Sequence, residues 1–480
     1  MRNHEHIKSS TSLILMLLLF SISNPFVGAQ TSNPNSVWSG TINLPEGYTI
    51  NSGESITVIA GTTIRLGDGQ RLWVDGRISI YGESQSGVIL EILGNGKHEG
   101  INFNSSSSGF GSVIENLTIF DSTYGITIYG SDPLIINTTI INPDRVGIDI
   151  FDFGNPRIFD LKISDGGQDI HGITTSWRYG IGISVGFQSN IFIHNASISN
   201  LITRGINLWG QANGILRNVE LTNISGSTLA GCAAIWVEDS FAIFENTSIS
   251  KSDNGIISRS ETGSWLNKPT FLRTTIEDSL YRGVLVDKSN KSDYLQLGNS
   301  QAKFEDLTIR GTGGPLTKTP GLGINAFEVN TSSVILSGTN VIQNNPVVGF
   351  RGYMIDNSTN ISGLILEQNG NPSSVLPDWQ KSSMMIRVAS WTKSGPAVIN
   401  DLTIINSSGI GEFNFNFLPF EFINSNSMEV ACNACLLNLE ITLDDIRLNS
   451  LAYSLLFLIP PPYLLSPKIG LEKLDECTLI

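Results

Sequence analysis

The sequence predicts an all-β chain folded as a right-handed parallel β-helix, and three observations favour this fold class. Charged residues make up only 15% of the 480 residues, against roughly 25% in typical soluble domains. Glycine occurs 48 times, which is typical of a chain with many tight turns. A short phrase, in which Asn or Asp stands between two apolar positions, also recurs along much of the chain.

The recurring phrase has an apolar residue, then Asn or Asp two positions later, then a second apolar residue three positions further on. Recurrence at roughly 21 to 35 residues is the signature of a solenoid, in which each repeat stacks on the next. Copies occupy residues 114–119, 135–140, 158–163, 193–198, 216–221, 244–249, 304–309 and 399–404.

A second phrase, Gly-Ile-x-Ile, lies between copies of the first. Apolar residues alternate with others in it, so each copy is predicted to be a short strand with one face inward. A repeat with two strands and several turns leaves no room for a helix of ten residues. Copies are read at residues 125–128, 147–150, 180–183, 205–208 and 283–286.

One coil cannot bury its own apolar face, so stability is predicted to come from stacking. Successive coils at about 4.8 Å would pair their backbones in parallel and align identical side chains into ladders. Isoleucines would fill the inside, while Asn or Asp would stand at the corner, because these residues tolerate the left-handed backbone conformation.

The chain is predicted to be exported. Residues 1–29 resemble a signal peptide, with Arg2 and Lys8 before an apolar run at 13–20 and cleavage after Ala29. An uncleaved membrane anchor is the alternative reading. The mature protein is accordingly expected outside the cell, either secreted or at the cell surface. An exported chain can be glycosylated.

Three further segments are expected. Residues 30–112 are read as entry coils, 113–414 as the regular β-helix repeats, and 415–480 as a C-terminal cap or tail. The apolar stretch at 451–465 is interrupted by prolines, so membrane association is expected only through an uncleaved signal or through this tail.

The front of the chain adds specific motifs. These are Trp38-Ser-Gly-Thr-Ile, Ala60-Gly-Thr-Thr-Ile, Val74-Asp-Gly and Gly100-Ile-Asn-Phe, followed by the Asn-containing array. In this the chain resembles the right-handed β-helix repeat, or pectin-lyase-like, surface and secreted proteins of bacteria and archaea, over about residues 36 to 410. The resemblance implies the fold, but that architecture hosts lyases, hydrolases, epimerases, tailspikes and adhesin-like proteins alike.

Net charge limits the expected partners and cofactors, and the cysteine content limits the expected disulfides. The formal net charge of −14, without a cluster of Lys and Arg, argues against nucleic acid. No cofactor is expected, although an acidic surface can attract Ca²⁺, and no protein-built metal site is predicted. The four cysteines are too few for a disulfide framework; Cys432 and Cys435 are read as a local disulfide or as two thiols.

A long excursion between two coils holds the weak catalytic candidates. Excursions from a solenoid often carry function, and this one contains residue types that act as acid, base or cation. It lacks the paired Asp and later basic residues that the polygalacturonate-cleaving families would imply, and a solvated loop is the competing interpretation. The candidates are Asp165, Asp169, His171 and Arg178.

The outward positions of the second phrase supply the ligand-binding candidates. If the isoleucines point inward, the residue after the second one points outward, giving an expected column of Tyr129, Phe151, Ser184 and Trp209. Trp236 is expected in the neighbouring column. Exposed rings can stack on sugars while Asp149 and Asn207 bond hydroxyls, although loops could instead cover the rings.

Two functions are therefore carried forward, with a purely structural spacer as a third. The first is an exported, adhesin-like protein that binds polysaccharides or cell-surface glycans without catalysis. The alternative is a polysaccharide lyase, glycoside hydrolase or epimerase with a divergent site near residues 144–210. Sequons at several predicted corner Asn residues also suggest a glycoprotein.

Overall fold

The computed structural model describes most of the predicted solenoid. Outside the described residues lie the predicted signal peptide and part of the C-terminal segment, so the expected division of the chain stays a prediction. The described residues are 36–167, 179–226, 232–261, 267–288, 301–313, 325–355, 358–370, 384–388, 398–405, 409–415, 421–422, 430–432, 435–441, 469–470 and 477–479.

Each of the first four coils contains three short strands. They are β1 Ser36–Trp38, β2 Thr41–Leu44, β3 Tyr48–Ile50, β4 Ser55–Ile59, β5 Thr63–Leu66, β6 Leu72–Val74, β7 Arg77–Tyr81, β8 Val88–Ile92, β9 Ile101–Phe103, β10 Val113–Glu115, β11 Leu117–Phe120 and β12 Tyr124–Tyr129; a short 3₁₀ helix, Ser105–Ser107, follows β9.

From the next coil onward, the first two strands of a coil merge into one long strand that bends at its corner. The strands are β13 Leu134–Ile141, β14 Val146–Phe151, β15 Arg157–Ser164, β16 Ile181–Val185, β17 Asn190–Leu201, β18 Arg204–Leu208, β19 Asn213–Ile224, β20 Ala233–Glu238, β21 Ile243–Ser250, β22 Asn254–Ser260, β23 Thr270–Glu277 and β24 Arg282–Lys288.

The later strands follow the same plan, with some long strands divided again. They are β25 Gln301–Glu305, β26 Thr308–Arg310, β27 Asn325–Asn330, β28 Ser333–Ser337, β29 Asn340–Gln343, β30 Val348–Ile355, β31 Asn360–Glu367, β32 Met384–Val388, β33 Val398–Ile405, β34 Gly409–Phe415, β35 Glu421–Phe422, β36 Val430–Cys432, β37 Cys435–Ile441, β38 Ile469–Gly470 and β39 Cys477–Leu479.

These strands form two long sheets, which confirms the predicted right-handed parallel β-helix. Sheet A has 23 strands and contains the bent limb of each coil, whereas sheet B has 16 strands and contains the remaining limb. Pairing is parallel from β1 to β37; near the end, β36–β39 and β37–β38 pair antiparallel. The backbone register there sets Cys432 opposite Cys477, rather than opposite Cys435.

The inside of the solenoid consists of apolar columns that run from coil to coil. In sheet A, Ile119, Ile140 and Ile163 pair directly and are fully or almost fully buried. A second column changes from isoleucine to stacked rings, where Phe244 and Phe271 lie 4.9 Å apart and nearly parallel. The predicted ladder of isoleucines is therefore confirmed, and burial of each such side chain contributes roughly 1.5 to 3 kcal/mol.

The predicted amide corner is also present. Asn195, Asn218 and Asn246 each have a positive φ at the bend of the long strand. Their amides form a chain, with Nδ2 of Asn218 donating to Oδ1 of Asn195 at 3.0 Å and Nδ2 of Asn246 donating to Oδ1 of Asn218 at 3.0 Å. Since several sequons coincide with these corners, the nitrogen that a glycan would occupy already serves the ladder.

The glycine of Gly-Ile-x-Ile is required by close approach. A Cβ on Gly147 would lie 2.7 Å from the carbonyl oxygen of Gly182 in the next coil and 2.8 Å from Cδ1 of Ile163 across the core. Near the start of the sheet B strand, the neighbouring coil therefore leaves room for a hydrogen but not for a side chain. This contact explains why the phrase recurs with the same first residue.

The same contact corrects one copy of the phrase. The expected copy at residues 180–183 is shifted by two, because Ile148 pairs with Ile183 and Gly147 faces Gly182. The structural equivalent of Gly-Ile-x-Ile in this coil is residues 182–185. Two glycines at alternate positions follow the long excursion. The periodicity alone therefore did not show which of them begins the phrase.

Within the part of the chain that the structure describes, no helix is long and apolar enough to cross a membrane.

The corner ladder gives a direct stability test. Asn218→Ala should lower the free energy of unfolding by about 2 kcal/mol, because Ala resists a positive φ and cannot bond to either neighbouring amide. Asn218→Gly keeps the backbone conformation and should lose less. Urea unfolding followed by circular dichroism measures both variants; equal stability of the Ala variant and the unaltered chain would show that the ladder does not stabilise the stack.

Candidate functional site

The outward side of sheet B, across the coils that contain β12, β14, β16 and β18, carries the candidate site. We call it the outer face. Its centre is a row of side chains that alternate with the buried isoleucines, so they point away from the core. The row consists of directly paired residues: Thr127, Asp149, Ser184, Asn207 and Trp236.

Asp149 is the acid at the centre of the outer face. Desolvation raises the pKa of its carboxyl to about 6, although the hydrogen bond with Ser184 acts in the opposite direction. A carboxyl group with such a pKa exchanges its proton close to neutral pH. Asp149 can therefore act as an acid or a base, in addition to bonding hydroxyl groups.

An aromatic patch lies at the trailing edge of the outer face, where the sheet B strands end. Tyr129 and Phe151 meet edge to face with centroids 5.1 Å apart, and Phe187 and Trp209 do so at 4.4 Å. Tyr129, Phe153 and Phe187 are 39%, 68% and 49% exposed. Large rings at this exposure, close together on one edge, are typical of a binding surface.

Within this patch, Trp209 packs against the backbone of the preceding coil. It follows Leu208, which pairs with Val185, so its neighbour in the preceding coil is Gly186. A Cβ on Gly186 would lie 2.4 Å from Cε2 of the Trp209 ring, which therefore lies flat against that backbone. The indole nitrogen donates to Oγ of Ser184 at 3.4 Å, connecting the patch to the central row.

This register corrects the expected aromatic column. Tyr129, Phe151 and Trp209 do share one row, but Ser184 does not belong to it. Ser184 pairs with Asp149 and Asn207 in the central row, and Gly186 occupies the place expected for it. The hydroxyl of Ser184 therefore lies beside the carboxyl of Asp149.

The leading edge of the outer face, where the sheet B strands begin, carries a cation between two phenols. Nη1 of Arg145 donates to the hydroxyl of Tyr124 at 3.0 Å, and Nη2 donates to the hydroxyl of Tyr179 at 3.3 Å. The guanidinium carbon also lies 5.8 Å and 5.0 Å from the centres of these two rings. These contacts hold the guanidinium in one orientation.

Two of the expected ligand-binding residues, Asn207 and Trp236, are buried rather than exposed. The cause is Arg204, whose Nη1 donates to Oδ1 of Asn207 at 2.6 Å and whose guanidinium lies 3.9 Å above the Trp236 ring. Arg259 approaches the same ring at 5.1 Å. Trp236 therefore packs between two cations, and the open face ends one coil before it.

Glu238 lies beside Trp209 in the row that continues the aromatic patch. Its carboxylate accepts a hydrogen bond from the Trp236 indole at 3.0 Å, and its carboxyl also bonds with that of Glu261. Burial, followed by the interaction with Glu261, raises the pKa of Glu238 to about 7. Two carboxyl groups in contact hold a proton between them, so this end of the face is sensitive to pH.

The expected catalytic excursion is described only at its start. Asp165 is a corner residue with a positive φ, and its Oδ1 accepts a hydrogen bond from Nδ2 of Asn200 at 2.9 Å. That position gives it a role in the corner ladder, and its candidacy as a catalytic residue stays a prediction. Asp169, His171 and Arg178 lie outside the described residues.

His98 is a further buried histidine, and its contacts are structural. Its Nδ1 accepts a hydrogen bond from the Gly100 amide at 3.0 Å, and its Nε2 lies 2.8 Å from the Phe120 carbonyl oxygen, so the ring is neutral. Burial lowers the pKa of His98 to about 4. It therefore holds the turn between adjacent coils throughout the neutral range.

No group of three or more His, Cys, Asp or Glu side chains suited to a metal ion occurs among the residues that the structure describes. The structure therefore identifies no ligand set for the Ca²⁺ considered from the acidic composition.

Several residues of the outer face were not found from the sequence. Phe187 follows the shifted copy of the phrase, and Phe153 lies in the turn after β14, so neither occupied a repeat position that the periodicity predicts. Arg145 and Tyr124 precede the phrase at its first two copies. An aromatic residue directly before Gly-Ile-x-Ile, as at Tyr124, or a basic residue two positions before it, as at Arg145, was the signal that could have identified the leading edge.

Comparisons with known proteins give limited similarity. No protein-family model and no curated protein matches the chain. Similar solved structures include an alginate lyase from Paenibacillus sp. str. FPU-7, at 13% identity and TM-score 0.37, covering 61% of this chain and 98% of that one. The catalytic unit of a thermostable GH87 α-1,3-glucanase from Streptomyces thermodiastaticus strain HF3-3 has 12% identity and TM-score 0.37, covering 68% and 58%.

At these values the similarity carries no argument about activity. The fold and the outer face themselves define the class of protein: a parallel β-helix with an elongated face that is cationic at its leading edge, acidic at its centre and aromatic at its trailing edge.

The carboxyl pair predicts a pH-dependent stability. Because folding raises the pKa of Glu238, its stabilising effect is complete below the usual pKa of 4.5 and is lost as the pH rises through about 7. Relative to Glu238→Gln, the unaltered chain should therefore lose thermal stability as the pH rises from 4.5 to about 7.

Differential scanning fluorimetry across that interval measures the effect. His98, whose pKa falls from 6.5 to about 4 on folding, titrates in part of the same interval, but it is present in both proteins and its effect cancels in the comparison. An identical decline in both proteins would show that Glu238 does not cause it.

Proposed function

We propose that this chain is an exported carbohydrate-active protein that binds a polysaccharide along the outer face of sheet B. The exposed aromatic patch at the trailing edge is the observation that carries this proposal. Sugar rings present apolar C–H faces that stack on aromatic side chains, while their hydroxyl groups need polar partners. The outer face supplies both within the same few coils.

The dimensions of the face fit a chain of sugars. From Tyr124 to Tyr129 a strand extends over about 16 Å, and four coils at about 4.8 Å per step add about 14 Å in the other direction. The rings of Tyr129, Phe187 and Trp209 lie at one side of this area, and Asp149 lies between them and the leading edge. Such a surface is long enough to contact several sugars of a polymer.

Hydrogen-bonding groups lie directly beside the aromatic patch. Asp149 and Ser184 are neighbours across adjacent coils, and Ser184 also contacts the Trp209 indole. Tyr129 bonds with Asp152, and this hydrogen bond raises the pKa of its phenol, keeping the hydroxyl protonated and able to bond. Binding of a glycan here would therefore combine ring stacking with directional bonds.

Binding is tested by titrating the purified chain against a panel of neutral and acidic polysaccharides. For the glycan that binds, Trp209→Ala and Phe187→Ala should each weaken affinity by about tenfold, since each removes one stacking ring. Tyr81→Ala is the matched control, because Tyr81 is an exposed ring on sheet A, at 43% exposure.

The control variant should bind as the unaltered chain does. Absence of binding to every polysaccharide in the panel would refute the proposal, and so would equal affinities of the Trp209 variant and the control.

A second candidate function is cleavage or epimerisation of the bound polysaccharide. The specific observation in its favour is the carboxyl of Asp149, whose burial raises its pKa to about 6 at the centre of the face. A glycan-active enzyme needs an acid or a base that exchanges protons near neutral pH. This favours the enzyme alternative over a purely adhesive role.

Catalysis has a separate test. If Asp149 is a general base, product release should fall as the pH decreases below about 6; if it is a general acid, release should fall above that pH. Asp149→Asn should reduce turnover by about 100-fold or more and leave the affinity for the polymer largely intact. Product release is measured by chromatography, and a variant that remains fully active would exclude Asp149 from the chemistry.

A further inference from the structure

The leading edge of the outer face contains an oriented cation that the binding of a neutral sugar would not require. Arg145 immediately precedes β14, and its side chain is held between the phenols of Tyr124 and Tyr179. Both phenols accept hydrogen bonds from it, and neither contributes a carboxylate. The guanidinium therefore keeps its full positive charge while losing freedom of movement.

Three other arginines of sheet B have a different environment. Arg259 pairs with Asp287 at 3.1 Å, and Arg282 and Arg351 both pair with Glu328, at 2.8 Å and 2.9 Å. These pairs neutralise the cation within the protein. In the described part of the chain, Arg145 forms no ion pair with a carboxylate.

The nearest acid in the sequence does not compensate Arg145. Asp144 is its direct neighbour, but Oδ1 of that residue lies 3.3 Å from Nζ of Lys97. Asp149 lies four residues further along the strand, about 13 Å away at the usual rise of a strand. A positive charge thus stands at the leading edge of a protein whose formal net charge is −14.

The register shows where this cation points. Tyr124 occupies the same level of sheet B as Val146, Ile181 and Arg204 in the following coils. Arg204 reaches onto the outward side of the sheet, where it contacts Asn207 and Trp236. Arg145 stands four residues before Asp149, an even separation, so the alternation of the strand places its side chain at the leading edge of the same outward side.

We infer that the ligand of the outer face is an acidic polysaccharide and that Arg145 binds a carboxylate of one of its sugars. The inference rests on the proposed function and adds the class of substrate. A guanidinium has five N–H donors, so Arg145 can keep both phenol bonds and still offer donors to a carboxylate. The sugar bearing that carboxylate would lie at the leading edge, with its neighbours extending past Asp149 toward the aromatic patch.

The phenols make this site selective for a planar anion. They fix the plane of the guanidinium from two sides, and a carboxylate binds best when both of its oxygens lie in that plane. A lysine at this position would supply charge without the plane. A sulfate group would be attracted by the same charge, but its tetrahedral arrangement of oxygens matches the planar guanidinium less well.

The test compares affinities of four polymers: a uronate polysaccharide, a sulfated polysaccharide, a neutral polysaccharide and poly-L-glutamate. Arg145→Gln should weaken binding of the uronate polymer at least tenfold and leave the neutral polymer unaffected. Arg145→Lys should restore only part of the affinity. Arg157→Gln is the matched control, because Arg157 is an exposed arginine on sheet A, and its melting temperature and that of Arg145→Gln verify folding.

Each of the other outcomes would refute a specific part of this inference. Equal affinity for uronate and neutral polymers, without any effect of Arg145→Gln, would refute the role of Arg145 and leave the proposed function standing. Arg145-dependent preference for the sulfated polymer would refute the carboxylate, and equally tight binding of poly-L-glutamate would refute the sugar. Failure of the unaltered chain to bind any polysaccharide would refute the proposed function and this inference together.

Discussion

The structure depends on coils that bend at the same place, so that their backbones pair without slipping. Asn or Asp in the left-handed conformation provides that bend, and the amide of one coil bonds to the next, as between Asn218 and Asn195. A corner displaced by one residue would turn the buried column of Ile119, Ile140 and Ile163 toward solvent. Corner and core therefore specify each other.

The same register determines the composition of the outer face. Once Ile148, Ile183 and Ile206 pair on the inside, Asp149, Ser184 and Asn207 must align on the outside. The face is thus not built by a loop but by the alternate residues of strands whose other side is the core. Such a site is as rigid as the stack, which suits the recognition of a polymer by many weak contacts.

Much of the fold could be predicted from local pattern, because the repeat records a local requirement. Asn at the bend and Gly147 at the start of a strand are fixed by neighbours one coil away. The site was harder to predict, since its accessibility depends on contacts across several coils. Trp236 matches an exposed position in the pattern, yet Arg204 lies above it. The register of Ser184 was misread because a long excursion precedes it.

The outer face ends where the residues of the outward row change in character further along the stack. Beyond Asn207 the row continues with Trp236, Ile257 and Leu285, which form a second apolar cluster, buried on the outward side of sheet B. At Glu328 the row carries the acid that neutralises two arginines. Apolar burial and internal ion pairs both remove surface from solvent and from ligands. Exposed rings, an acid whose pKa is raised and the cation of Arg145 coincide only in the earlier coils, among the described residues, and the proposed binding site is accordingly confined to them.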